Sequence, residues 1–364
     1  MSGRMTRTDG RLSYALMHMG ACAHVLGRAA ILLLGGLLWA GSVHAQRSPF
    51  NGLEVLPADS TGHYRILIGG HFHGESTNRS GYPAATLLAN LDTINRLGAQ
   101  LFLSTGDLFM SGKEDRPRYA RSLFRHLQIP LFNTPGNHDL GGAVGDDLIE
   151  LGLIRLGGDI VLILNTEYNN GTVSRKAISR LLSIAKPDTG RLPPRAFIIS
   201  HRPIWAENDP QYSDLFKDNT RSTFGTNFRK DVYPVLERIA QHTQVYWISG
   251  SLGGQAPSSI FFQRHAPNIT YIQCAIRDEP RDALLIADVY PDTVTWSALS
   301  LTGQQVKGPE TYDAAWWRAR VGKEDGFNWR LLPYRMKSIV LHRAFWWGAG
   351  LMLLLVLLRR LLRR

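Results

Sequence analysis

The chain has 364 residues, of which 44% are hydrophobic, so it is long enough for one large domain or two small ones with an ordinary globular core. Its formal charge of +11 would by itself point to nucleic acid, but the basic residues are concentrated at the two ends. Outside residues 1–45 and 343–364 the chain has 32 basic and 29 acidic residues, a near balance that argues against a nucleic-acid partner.

Residues 1–45 have the pattern of a secretory signal peptide. Four arginines precede the apolar stretch Ala29–Gly41, and Val43 and Ala45 are small residues at the −3 and −1 positions of a cleavage point after Ala45. An uncleaved N-terminal anchor is the alternative, because the charged leader is long. In both cases we expect the following domain to be exported.

The segment from residue 46 to residue 305 alternates apolar runs with stretches of helical periodicity. Strands are predicted at Tyr64–Ile68, Leu101–Ser104, Ile129–Phe132, Ile160–Asn165, Ala196–Ser200, Val245–Ile248, Thr270–Ile276, Ala283–Tyr290 and Val294–Leu301. Helices are predicted at Ala84–Leu97, Tyr119–His126, Ser174–Ala185 and Val232–Gln241. This order of strands and helices predicts an α/β domain that closes with a run of strands. Its one cysteine, Cys274, falls in an apolar run and is predicted to be a buried thiol.

The C-terminal part of the chain predicts a membrane anchor. Residues 306–338 read as a polar juxtamembrane linker, residues 339–358 as a transmembrane helix and residues 359–364 as a basic tail that stays in the cytoplasm. An interfacial helix is the alternative, but the segment is apolar on all sides. We expect a single-pass protein of a bacterial inner membrane with its domain in the periplasm, and a eukaryotic secretory-pathway protein is the other possibility.

Two histidines follow the first predicted strand in the sequence RILIGGHFHGE. On an extended backbone His71 and His73 point to the same side, an arrangement that suits a metal ion. A solvated surface turn would show the same pattern.

Polar residues follow three further strands. Asp107 lies in LSTGDLFM, Asn137 and His138 lie in NTPGNHDLGG, and His201 lies in FIISHRPIW. Ligand sites of α/β sheets form at the carboxyl ends of the strands, so these four groups are expected to meet.

The ordered series resembles the calcineurin-like metallophosphoesterases, whose motifs run Asp-x-His, Gly-Asp, Gly-Asn-His-Asp/Glu, a lone His after a strand, and Gly-His-x-His. Gly106-Asp107, Gly136-Asn137-His138-Asp139 and His201 match in order and spacing, and the resemblance covers roughly residues 64–302. It implies a four-layer α/β/β/α sandwich, here followed by the C-terminal transmembrane helix.

The resemblance also implies a metal-dependent phosphoester hydrolase. Manganese, iron or zinc, as one or two divalent ions, would hold the phosphate and activate water. By resemblance Asp107 would bridge two metals, His73 would bind the first, and Asn137 and His201 the second. His138 would act beside the leaving-group oxygen, so Asp107 and His138 are the catalytic candidates.

Two motifs depart from the family. His71 stands where the family has aspartate, and Gly250-Ser251-Leu252-Gly253 stands where it has Gly-His-x-His. His71, His73 and Asp107 with water remain a usable set for one metal, whereas a pair of metals would be weakened. Glu75 or Glu167 could replace a lost ligand, although no feature of the sequence places either one there.

The leading hypothesis is therefore a membrane-tethered phosphoesterase outside the cytoplasm, with a lipid- or glycan-linked phosphoester among its conceivable substrates. A catalytically degenerate member that serves as a membrane scaffold is the alternative. A third class, serine hydrolases, is raised by Ser249-Gly250-Ser251-Leu252-Gly253, but the glycine that should open a nucleophile elbow is missing, and a small-residue turn explains the segment better.

Overall fold

The computed structural model describes residues 46–140, 151–186, 192–207, 209–216, 226–322, 332–341 and 343–362. The predicted signal peptide, residues 1–45, lies outside the described residues. The strands, in chain order, are β1 Tyr64–Gly69, β2 Leu101–Ser104, β3 Leu131–Asn133, β4 Leu151–Leu156, β5 Asp159–Leu164, β6 Arg195–Ile199, β7 Gln244–Ser249, β8 Ile260–Ala266, β9 Ile269–Cys274, β10 Ala283–Val289 and β11 Val294–Ser300.

The strands form two mixed sheets, which confirms the α/β prediction. The first sheet has the order β11-β10-β1-β2-β3, with β1, β2 and β3 parallel and β10 and β11 antiparallel to their neighbours. The second has the order β4-β5-β6-β7-β9-β8, in which β5, β6, β7 and β9 are parallel. The edge strands β4 and β8 were not predicted, because their residues do not show a clear strand alternation.

The helices, in chain order, are α1 Ala85–Ala89, α2 Leu91–Arg96, α3 Gly112–Tyr119, α4 Arg175–Ala185, α5 Ser213–Phe216, α6 Tyr233–Ala240, α7 Ala314–Arg318, α8 Leu332–Leu341 and α9 Arg343–Leu361. The single helix predicted for Ala84–Leu97 is divided at Asn90, whose side-chain amide donates to the carbonyls of Thr86 and Leu301. Helical structure begins at Gly112 instead of Tyr119, since the Asp115 carboxylate accepts from the Ser111 N–H and supports an earlier first turn.

Alternate residues of the first sheet pack into two different hydrophobic clusters. Ile66 and Ile68 belong to the larger cluster, which contains the strands of the second sheet and helices α4 and α6. Leu67 between them belongs to the smaller cluster, with α1 and α2. The first sheet therefore packs against the second on one face and against helices on the other, as expected for helices outside two stacked sheets. Cys274 is fully buried at the end of β9, as predicted.

The packed domain continues past residue 305, where the sequence predicts a linker. Trp317 in α7 is fully buried, its Nε1 donates to the Ile260 carbonyl at 2.9 Å, and its ring stands edge-on to Phe261. The Arg318 guanidinium pairs with the Asp214 carboxylate at 2.6 Å. These contacts extend the folded part of the chain through α7.

The C-terminal helix α9, Arg343–Leu361, is 19 residues long and apolar enough to cross a membrane. Its apolar stretch is not buried against the rest of the protein. At 1.5 Å per residue it spans about 28 Å, close to the thickness of a hydrocarbon core. Length and composition thus mark it as a candidate span, displaced by a few residues from the predicted 339–358.

A buried polar cluster joins the two sheets at the amino ends of their strands. Asp159 of the second sheet accepts from the Tyr64 hydroxyl of the first at 2.5 Å, and from the backbone N–H and Nη1 of Arg195 at 2.9 and 3.0 Å. Arg195 Nη2 also donates to the carbonyls of Tyr290 and Pro291, both at 2.7 Å. Both carboxylate oxygens of Asp159 accept hydrogen bonds, and these bonds offset part of the cost of burying the charge.

We expect Asp159→Ala to lower the free energy of unfolding by about 3 kcal/mol, since it leaves the Arg195 guanidinium buried without its carboxylate. Tyr64→Phe, which removes one hydroxyl and no charge, should cost about 1 kcal/mol. Denaturant unfolding of the detergent-purified full chain, followed by tryptophan fluorescence, measures both. Equal losses in the two variants would contradict the role assigned to the carboxylate.

Candidate metal centre

The predicted site residues lie where strands β1, β2, β3 and β6 end. His71 follows β1, Asp107 follows β2, the Gly136–Asp139 turn follows β3, and His201 follows β6. The parallel direction of the strands within each sheet brings these carboxyl ends to a common edge.

His71 lies in a turn and not on an extended backbone. Its φ is +53°, its N–H donates to the Gly106 carbonyl at 2.9 Å, and its own carbonyl accepts from the Gly74 N–H at 2.8 Å. The rings of His71 and His73 nevertheless lie side by side, with centroids 5.3 Å apart and planes 23° apart. They are only 6% and 2% exposed, which also rules out a solvated surface turn.

Asp107 is the centre of the cluster. Its Oδ2 lies 3.4 Å from His71 Nε2, 3.8 Å from His73 Nε2 and 3.5 Å from His201 Nε2. Its Oδ1 accepts from the His138 N–H at 3.0 Å. One carboxylate oxygen is thus fixed by the backbone while the other faces three imidazoles. Asp107 has a φ of +55°, and two strained residues at one site are typical of functional positions.

The His201 ring is oriented by the backbone carbonyl of Thr105, which lies 2.9 Å from its Nδ1. If Nδ1 carries the proton, Nε2 offers its lone pair toward Asp107. A carbonyl that bonds the other ring nitrogen commonly fixes the tautomer of a metal-binding histidine. His201 is fully buried, and its ring centroid lies 5.7 Å from that of His71.

The turn that carries Asn137 and His138 is shaped by Asp139, a role that the sequence did not reveal. The Asp139 carboxylate accepts from the backbone N–H groups of Gly136 and Phe109 at 2.8 and 3.0 Å, and from the Asn133 amide at 3.1 Å. The turn is thereby held against Asp107. Asn137 is half-buried on it.

His138 lies at the open side of the cluster. It is half-buried, its ring centroid is 5.1 Å from that of His73, and its Nδ1 lies 3.4 Å from the Met110 carbonyl. This position is exposed enough to meet a substrate and close enough to the other imidazoles to act on it.

Five buried ring nitrogens of the cluster have no hydrogen-bond partner among the described residues: both nitrogens of His71, both of His73, and Nε2 of His201. A buried polar group without a partner costs about 1–3 kcal/mol. Donor atoms of His71, His73 and Asp107 all lie within 4.8 Å of one another. Imidazole nitrogen and carboxylate oxygen are ligands that divalent transition metals accept, so these residues fit such an ion.

The ionisation of the cluster also suits a metal. Burial lowers the pKa of His71 well below 6.5, although the neighbouring Asp107 charge opposes the shift, so the ring is neutral at physiological pH. Burial opposes the charge of Asp107, but the surrounding histidines hold its pKa well below 3.8. Burial, followed by the Asp107 charge, raises the pKa of Asp139. Neutral imidazoles and an ionised carboxylate are the ligand forms that bind metal.

The segment that replaces Gly-His-x-His is a turn packed through its backbone. The N–H groups of Gly250 and Ser251 donate to the His201 carbonyl at 2.9 and 2.8 Å, and the Gln273 amide donates to the Ser251 carbonyl. Arg277 Nη1 donates to the Leu252 carbonyl at 2.9 Å. The turn therefore supports His201 without adding a ligand.

The serine-hydrolase hypothesis is not supported by this turn. Ser249 Oγ accepts from Trp205 Nε1 at 3.1 Å, and across the described residues neither Ser249 nor Ser251 bonds a histidine ring. The ring of His265 lies between the hydroxyls of Tyr212 and Tyr233 instead.

Glu167 is not available as a replacement ligand. It forms a two-point ion pair with Arg202, with distances of 2.8 Å from Nε to Oε1 and 2.9 Å from Nη2 to Oε2. Both side chains are almost completely buried, so this is an ion pair of the core. Glu75 is not part of the cluster of His71, His73 and Asp107 that the described residues form.

Solved structures resemble this chain in part, at low sequence identity. GAP50, the anchor in the inner membrane complex of Plasmodium, is 12% identical with a TM-score of 0.45, over 73% of this chain and 98% of that one. A dimetal phosphatase from Danio rerio is 13% identical with a TM-score of 0.39, over 65% and 96% of the two chains. The purple acid phosphatase PPD1 of yellow lupin is 9% identical with a TM-score of 0.44, over 70% and 54%.

No curated protein sequence matches this chain. The family model of the calcineurin-like phosphoesterases, by contrast, matches residues 64–253, which is just over half of the 364 residues. This interval runs from β1 to the turn that follows β7 and contains the whole histidine and aspartate cluster. The chain belongs to the calcineurin-like phosphoesterase family.

Proposed function

We propose that this protein is a membrane-tethered phosphoester hydrolase that acts outside the cytoplasm with one divalent metal ion or a weakened pair. The observation that carries the proposal is the set of buried ring nitrogens without a hydrogen bond on the three histidines that face Asp107 Oδ2. Buried nitrogens without hydrogen bonds destabilise the metal-free protein, and a bound cation would satisfy them. Membership of the family makes phosphoester hydrolysis the expected chemistry.

His71, His73 and Asp107 would hold the ion, and His201 is close enough to Asp107 to complete the set or, with Asn137, to form a weaker second site. A bound manganese, iron or zinc ion supplies Lewis acidity, which polarises the phosphoester and activates water. His71 in place of the usual aspartate removes one negative charge from the site. With only one carboxylate, the repulsion between two divalent ions is compensated less, so a pair of ions is bound less tightly than a single ion.

His138 is the residue proposed to act on the leaving group. Its backbone N–H is fixed on Asp107, and its ring projects beside His73 at the open side of the cluster. From this position the imidazolium would donate its proton to the leaving-group oxygen as the phosphorus–oxygen bond breaks.

A cavity of about 600 Å³ supports a lipid- or glycan-linked substrate. One wall is polar and comes from the loop after His73, including Asn78, whose amide donates to the His73 carbonyl at 2.7 Å. The other wall is apolar and includes Ile339 and Phe345 of α8 and α9. None of the metal-centre residues is among those that line this cavity, so a substrate would have to extend from the centre along the loop after His73 to place an apolar group against α8 and α9.

The alternative function, a membrane scaffold without catalysis, is favoured by one observation. The Gly250–Gly253 turn is held by backbone hydrogen bonds to the His201 carbonyl and by the Arg277 side chain, so the fold persists without the two family histidines. The experiments below separate the two functions.

The detergent-purified full chain, loaded with manganese, iron or zinc and desalted, should retain about one equivalent of metal and hydrolyse p-nitrophenyl phosphate. Asp107→Ala should lose the metal, because the central ligand is gone. His138→Ala should keep the metal and lose hydrolysis about 10²-fold. Elemental analysis and a phosphatase assay report the two effects. Metal retained by Asp107→Ala would sink the proposed centre, and metal absent from the wild type would favour the scaffold.

Gly136→Ala should abolish metal binding without removing any ligand. A Cβ at this position would overlap Oδ1 and the backbone N of Asp107, so the carboxylate must move. Gly308→Ala is the matched control, since its Cβ would meet only Glu310 at an ordinary 3.5 Å. Metal content equal in the two variants would show that the position of Asp107 does not matter for binding.

The double substitution Ser251→His and Gly253→His tests whether the site has decayed. Two restored imidazoles should raise metal stoichiometry toward two if the family geometry persists. A large gain in hydrolysis over the wild type would indicate a decayed enzyme. A wild type that is already active, with a double variant that is no more active, would indicate a site rebuilt around His71.

A further inference from the structure

Arg277 begins the loop that crosses the edge of the cluster after β9. The N–H of the preceding residue, Ile276, donates to the Gly70 carbonyl at 3.0 Å, which places this loop beside the backbone that leads into His71. The Arg277 N–H donates to Asp282 Oδ1 at 2.9 Å and fixes the start of the loop.

The Arg277 guanidinium reaches from this loop to the turn that supports His201. Nη1 donates to the Leu252 carbonyl at 2.9 Å, and the adjacent Ser251 donates its N–H to the His201 carbonyl at 2.8 Å. Arg277 therefore lies between the segments that carry His71 and His201, whose rings are 5.7 Å apart.

Part of the guanidinium remains open to a ligand. The Arg277 side chain is 14% exposed, and Nη2 makes no hydrogen bond with any described residue. Its acidic neighbour Glu279 lies 3.3 Å from Arg277 Nε but 2.5 Å from Arg281 Nη2. Because Glu279 is closer to Arg281, it neutralises Arg277 only in part.

We propose that Arg277 binds the phosphoryl group of the substrate, in the place where the lost Gly-His-x-His ligands would have helped to hold a second cation. The inference rests on the proposed function. A guanidinium is permanently charged and presents paired N–H donors that match phosphate oxygens. It also repels a second metal ion nearby, which agrees with a site for one ion.

Arg281 provides the matched control, because it is also a cation that touches the turn, donating to the carbonyls of Gly253 and Gly254 at 3.3 and 3.4 Å. Arg277→Ala, Arg277→Lys and Arg281→Ala are compared with the wild-type full chain in detergent, with and without metal. The readouts are metal content, melting temperature, the affinity for inorganic phosphate by calorimetry, and KM against kcat for p-nitrophenyl phosphate.

Arg277→Ala is expected to weaken phosphate binding and raise KM about tenfold or more, with metal content unchanged, and Arg277→Lys should recover only part of the loss. Arg281→Ala should lower phosphate affinity less than Arg277→Ala does, because it frees Glu279 to pair more fully with Arg277 but leaves the guanidinium in place. Unchanged phosphate affinity in Arg277→Ala, an equal loss in Arg281→Ala, or loss of metal in Arg277→Ala would each overturn the inference and leave the proposed function standing.

The two proposals fail in different ways. A wild-type chain that holds no metal contradicts the proposed function, whatever Arg277 does. If that metal-free chain still binds phosphate and Arg277→Ala abolishes the binding, Arg277 retains its role as an anion ligand. If the metal-free chain binds no phosphate, both proposals fall.

Discussion

The close approach of the strand-end loops to the Asp107 carboxylate is possible only because side chains are missing at the points of contact. The positions concerned are Gly70, Gly106, Gly136 and Gly250. A Cβ added to any of them would lie closer than real Cβ contacts allow, against Asp107, against the His201 ring, or against Thr105, whose carbonyl orients that ring. The geometry of the cluster is thus written into the backbone. The glycines set how closely the ligand residues approach one another, and the histidines and the aspartate determine what the site binds.

The same region combines backbone strain with buried groups that lack hydrogen bonds. His71 and Asp107 have positive φ angles, and the buried imidazoles around Asp107 have few partners. Strain of this kind persists only where the surrounding structure enforces it. The enforcing structure is well satisfied: the Asp159 cluster joins the sheets at their other end, and Arg202 and Glu167 pair completely in the core. A stable frame therefore holds an unfavourable centre in place.

Much of the fold could be predicted from the sequence, because buried parallel strands read as apolar runs with glycine or polar residues at their ends. The four motif positions followed from those strand ends, and they do converge. The left-handed turn at His71 could not be predicted, since hydrophobic periodicity reports the burial of side chains and says nothing about φ. The edge strands β4 and β8 are only partly buried, so their sequences lack a clear alternation of apolar and polar residues.

Contacts between residues that lie far apart in the sequence could not be predicted either. Glu167 could be considered a metal ligand until the structure paired it with Arg202, 35 residues away. Asp139 could be recognised as part of a motif. That its carboxylate accepts from the N–H groups of Gly136 and Phe109 could be seen only once the backbone positions were known. Arg277 carried no signal at all, because its significance lies in a neighbour, Leu252, that the sequence does not mark.

The histidines that lack partners have a consequence for where the ion is acquired. The residues that would hold it come from positions 71, 73 and 107, with 201 beside them, so the binding pocket does not exist until β1, β2 and β6 have assembled. Binding energy and folding energy are then the same quantity, and the ion stabilises the native chain in proportion to its free concentration. The choice among manganese, iron and zinc then depends less on intrinsic affinity than on which ions are supplied in the compartment where folding is completed.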